Sequence, residues 1–117
     1  WLYFRQGKFD EALTELLRAA ELTKEEPDST IFEHIGDAHQ ALGQADKAKA
    51  AWQRAHELLG AQLEKVKAPD AYLFEQLGNI HYKLGQADKA KDAWQRSYEI
   101  TPTESLREKL HPAKKEG

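Results

Sequence analysis

The octapeptide LGQADKAK stands at residues 42–49 and again at 84–91, and after two further residues each copy continues into Trp-Gln-Arg. The same offset of 42 relates Gly36 to Gly78, Ala48 to Ala90 and Trp52 to Trp94. A third, diverged copy precedes them: Gly7, Ala12 and Leu16 align with Gly43, Ala48 and Trp52 at an offset of 36. Recurrence at such a period is the mark of a supersecondary unit that cannot bury its own apolar face and gains stability by stacking on copies of itself.

Each unit reads as two helices. Ile31, Phe32, Ile35, Ala38, His39 and Leu42 recur at spacings of three and four, Gly43 interrupts them, and Ala48, Ala51, Trp52, Ala55, Leu58 and Leu59 resume the period. Gly43 is placed to end the first helix in a left-handed conformation, and Asp46 lies in the first turn of the next, where the helix dipole favours negative charge. The second helix is expected to run on through Leu63 and Val66 toward Pro69, about two turns beyond its counterpart, which stops near Pro102. Gly60 lies inside this extension and costs about 1 kcal/mol relative to alanine.

With 117 residues, 40% hydrophobic and 32% charged, the chain has the composition of one soluble globular domain. It contains no cysteine, which excludes disulfides and Cys-based zinc sites. A net charge of -3 with interspersed signs argues against nucleic acid as the main partner, and no apolar run is long enough to span a membrane. No signal peptide is visible; the chain starts at Trp1 and has no methionine, so it is expected to be a piece of a longer product or a processed form.

Catalytic and cofactor signatures are lacking. There is no His-Glu-x-x-His, no phosphate loop and no nucleophile motif, and Ser29, Ser97 and Ser105 have no base at a telling spacing. Glu33, His34, Asp37 and His39 cluster in sequence, but on a helix His34 and Asp37 share a face while His39 turns toward the core with Ile35, so they do not converge on a metal. Neither a cofactor nor enzymatic activity is expected. The alternating Lys and Asp of the repeated phrase read as a solvated outer face.

Phe32, Ile35, Gly36, His39, Ala48 and Trp52 fill, in order, the pattern W-x2-L-G-x2-Y…A-x3-F…P, as do Phe74, Leu77, Gly78, His81, Ala90, Trp94 and Pro102. Tyr3, Ala12 and Leu16 match it in the first unit. The chain therefore resembles the tetratricopeptide repeat family over roughly residues 1–102, with repeat lengths above the usual 34 and histidine at the second aromatic position. The resemblance implies an all-α fold: a right-handed α-solenoid of helix-turn-helix repeats in one domain, residues 1–112. Its parts would be a truncated first repeat (1–26), a second with an extended second helix (28–68), a third (70–102) and a capping helix (103–111), before a disordered tail (113–117). Gly36 and Gly78 should lie where paired helices cross, with Ala48 and Ala90 opposite. Trp52, Trp94 and Leu16 should wedge between neighbouring units.

In this family the first helix of each unit lines a concave side that holds peptides. On this chain the resemblance places there Thr30, Glu33, Asp37 and Gln40, then Tyr72, Glu75, Asn79 and Tyr82, with Trp1, Phe4 and Arg5 from the truncated unit. Members that clamp a C-terminal carboxylate use Lys, Arg and Asn; only Asn79 matches, and Glu33 and Glu75 stand where cations are wanted. The expected ligand is thus a protein segment with a basic residue beside an apolar or aromatic one. A second expectation is self-association: the helix from about Phe9 to Leu22 lacks a full neighbour over Leu13, Leu16, Leu17 and Ala20, so the N-terminal end would pair with another copy as a homodimer. At the other end, residues 103–110 would cover the last repeat with Leu106 and Leu110 and present Glu104, Arg107, Glu108 and Lys109 to water.

Overall fold

The structure, a computed structural model, describes residues 8–112. The half-helix expected over residues 1–6, with Trp1, Phe4 and Arg5, and the expected disordered tail from 113 lie outside the described residues. Those described form six α-helices: α1 Phe9–Leu22, α2 Ser29–Ala41, α3 Ala45–Lys65, α4 Ala71–Lys83, α5 Ala87–Ile100 and α6 Glu104–Leu110. The fold is all-α. The chain divides within α3 into two compact units, Trp1–Ala61 and Gln62–Gly117.

Local chemistry sets the helix ends. The Asp28 side chain accepts from the Thr30 N–H at 2.8 Å, that of Asp70 from Leu73 N–H at 3.0 Å, and the Thr103 hydroxyl from Leu106 N–H at 3.1 Å, so α2, α4 and α6 each start on a capped turn. Both repeated phrases turn on a left-handed glycine, Gly43 at φ 77° and Gly85 at φ 81°. The turn carries a further brace: His39 Nδ1 meets Gln44 Oε1 at 2.7 Å and His81 Nδ1 meets Gln86 Oε1 at 2.7 Å. His39 is therefore half-buried and held by the loop rather than turned into the core. The expected extension is present, since α3 has 21 residues against 14 in α5, although it stops at Lys65, one residue before Val66.

In the first unit Ala12, Ile35, Ala38, Ala48, Ala51, Trp52, Ala55 and Leu59 form the core; in the second Leu73, Ile80, Ala90, Ala93, Trp94 and Leu106 do. Buried alanines on α3 and α5 let the paired helices approach closely. Ser97, fully buried, satisfies its hydroxyl by donating to the Ala71 carbonyl at 2.7 Å.

The glycines at the crossings face something other than alanine. A Cβ at Gly36 would lie 2.3 Å from Trp52 Cδ1, and one at Gly78 would lie 2.3 Å from Trp94 Cδ1. The missing side chain seats an indole from the second helix of the same pair. Each tryptophan thus fastens its own hairpin, and burying a ring of this size contributes on the order of 4 kcal/mol.

Candidate functional site

Tyr72, Glu75, Asn79 and Tyr82 fall at i, i+3, i+7 and i+10 of α4, a stripe about 80° wide. The two tyrosines at its ends are 62% and 63% exposed, unusual for such large rings. The two polar residues between them are engaged. Asn79 Oδ1 accepts from Trp94 Nε1 at 3.0 Å and from Lys109 Nζ at 3.2 Å, and Lys109 also pairs with Glu75 at 3.2 Å.

Lys109 also departs from its expected place. Instead of facing water from α6, its ammonium group lies 5.5 Å from the centre of the Trp94 ring, between Glu75 and Asn79. A signal for this was present in the sequence: Lys109 follows the buried Leu106 by three residues and precedes the partly buried Leu110, which sets it on the inner edge of α6. The outer face carries Arg107, bonded to Glu104 at 2.9 Å; that carboxylate's hydrogen bond and charge raise the guanidinium further above its ordinary pKa, and it stays charged at any working pH.

Two clefts open beside α6. The larger, about 590 Å³, is lined by Asn79, Tyr82, Lys83, Ala87, Lys91, Trp94, Glu108, Lys109 and Pro112. Within it the Tyr82 and Trp94 rings stand 5.7 Å apart at 37°. The other, about 340 Å³, includes Asp70, Tyr72, Glu75, Thr101, Thr103 and Leu106. Each cleft holds one of the exposed tyrosines.

The equivalent stripe on α2 differs. Thr30 is half-buried, its N–H bound by Asp28; Glu33 is only 8% exposed; and Asp37 Oδ1 accepts from Trp52 Nε1 at 3.2 Å, the role that Asn79 plays on α4. The Glu33 carbonyl takes the same indole N–H at 3.2 Å. Gln40 is the exposed member. The structure thus brings Glu75, Asn79 and Tyr82 to Lys109, leaves Tyr72 beside Glu75 in the other cleft, and on α2 engages the Asp37 carboxylate and the Glu33 carbonyl with the tryptophan.

Among the described residues no group of three His, Cys, Asp or Glu side chains is arranged to hold a metal ion, and no helix is long and apolar enough to cross a membrane. Residues 71–104, which run from the first residue of α4 through α5 to the first residue of α6, match the family profile of the tetratricopeptide repeat. No curated protein matches the chain. Repeats of this family are non-catalytic and mediate protein–protein interaction.

Proposed function

We propose that this chain, which carries a tetratricopeptide repeat at residues 71–104, holds a segment of a partner protein against α4, with Tyr72 and Tyr82 as anchors and Glu75 receiving a basic residue between them. The observation that carries this reading is the exposure of two large rings at the ends of one helical stripe. Tyrosine loses little conformational freedom on binding and offers both an apolar face and a hydroxyl, which is why it recurs as an interface anchor. Ten residues of helix separate the anchors by about 15 Å, a distance that a partner helix of about ten residues spans. Asn79 orients the polar centre, and on α2 Thr30, Glu33, Asp37 and Gln40 are proposed as the corresponding face, with Gln40 its most accessible member. The net charge of -3 supports a protein partner over nucleic acid or a lipid surface.

Selection of a random peptide display library on the intact chain tests the reading. Peptides with a basic residue next to an apolar or aromatic one should be enriched, and a Tyr72→Ala, Tyr82→Ala variant should bind them at least about tenfold more weakly, a loss of about 1.4 kcal/mol, at unchanged helicity. Equal binding by the variant would move the site off α4.

A second reading rests on α1, which leaves Leu17 50% and Leu22 79% exposed. Contact through these leucines would make the chain a homodimer. Light scattering after size exclusion at micromolar concentration should then give twice the monomer mass, reverting to monomer in Leu17→Glu; a monomer in the parent discards this reading.

A further inference from the structure

α6 packs its Leu106 and Leu110 against Ala90, Trp94 and Tyr98 of α5 and reaches the face to which the partner is assigned through Lys109. Its Lys109 bridges Glu75 and Asn79, the two middle residues of the α4 stripe, at 3.2 Å each, and so stands between the cleft of Tyr72 and the cleft of Tyr82. A segment that engages both tyrosines and Glu75 must replace this lysine. The chemistry expected of the ligand, a basic residue beside an apolar one, is already supplied by the chain itself in Lys109 and Leu110.

We infer that α6 is a built-in occupant of the binding face, and that the partner segment which displaces it is a short amphipathic helix of the same pattern, two aliphatic residues four apart with a lysine just before the second. This rests on the reading that α4 binds a partner. The hold is built to be broken. α6 has seven residues, too few for a helix to persist in water without packing. The ion pair of Lys109 with Glu75 has side chains 32% and 30% exposed, so solvent screens it. Leu106, 1% exposed, is the main apolar anchor. A partner with matching leucines and lysine exchanges like for like, and additional contacts with the tyrosines on either side favour it over α6.

The probe is a labelled synthetic peptide with the sequence of residues 103–112, TESLREKLHP, titrated into the full-length chain. In the parent the tethered α6 competes at an effective concentration in the millimolar range and keeps the probe out. In a Leu106→Ala, Lys109→Ala variant the probe should bind at least about tenfold more tightly, and adding Glu75→Lys should abolish the gain. Lys109→Ala alone, which leaves the buried leucine in place, gives a smaller gain in the same direction and serves if the double variant loses helicity. Binding no tighter than in the parent, in variants that keep their helicity, overturns the inference and makes α6 a terminal cap only. Display-selected peptides titrated in parallel separate the two readings. If they bind in a tyrosine-dependent way but equally to parent and variant, only the guarding role of α6 falls; if none depends on the tyrosines, the assignment of the face to α4 falls with it.

Discussion

A single methyl group at position 78 is expected to lower the stability of the chain by about 1–3 kcal/mol, as overpacking of a well-filled interior does. In Gly78→Ala the new Cβ would stand 2.3 Å from Cδ1 and 2.4 Å from Nε1 of Trp94. The indole is only 6% exposed and its Nε1 is tied to Asn79 at 3.0 Å, so it cannot recede without giving up a hydrogen bond and its packing. For a unit of this size each kcal/mol corresponds to roughly 4–8 °C in melting temperature, well within reach of circular dichroism. Gly60→Ala is the control, because nothing lies within 4 Å of a Cβ there. That change, in the interior of α3, should stabilise by up to about 1 kcal/mol. If Gly78→Ala melts within about 1 °C of the parent, the indole does not occupy the place assigned to it.

The converse change is larger. Trp94→Ala removes the ring that fills the space over Gly78 and should cost about 3–5 kcal/mol. It also leaves Asn79 without its indole donor and removes the ring surface under Lys109. Trp94→Phe keeps most of the apolar volume and drops the N–H, so it should cost about 1–2 kcal/mol, part of it for the half-buried amide oxygen. Measured by urea unfolding against a total stability of about 5–15 kcal/mol, the alanine variant loses a large share of it and the phenylalanine variant a smaller one. Phenylalanine matching the parent would show that the bond to Asn79 adds nothing; phenylalanine as damaging as alanine would show that the hydrogen bond, not the volume, holds the hairpin.

Helix boundaries were readable from the residues because what sets them is local. Gly43 and Gly85 end helices through their own backbone freedom, Thr103 caps the helix it begins, and the two extra turns of α3 follow from the distance between repeats. Contacts across helices were less readable. Ala48 and Trp52 lie one turn apart on the same face, so periodicity shows that Gly36 is met from that face without showing which of the two meets it; the structure gives the place to the indole. The binding stripe divides in the same way. Phase along α4 was enough to set Tyr72 and Tyr82 outward, but the partner of Glu75 comes from 34 positions further along the chain. The phase of Lys109 against Leu106 and Leu110 sets it on the inner edge of α6, but nothing in the order of charges names Glu75 as its partner. Glu33 looked like a surface residue by its polarity, yet it lies buried where its own backbone carbonyl receives the Trp52 N–H.

The seat of Lys109 over Trp94 makes that tryptophan a built-in optical gauge. Indole emission shifts to longer wavelength on entering water and responds to a cation held against the ring. The fluorescence of Trp94, with Lys109 at 5.5 Å and Tyr82 at 5.7 Å, therefore carries a record of whether α6 is docked. Trp52 belongs to the other unit and is fixed to Asp37 and the Glu33 carbonyl, remote in sequence from α6, so it supplies a reference in the same spectrum. With Trp1 replaced by phenylalanine, a stopped-flow trace of the unlabelled chain would resolve the departure of the closing helix in time, without any attached dye.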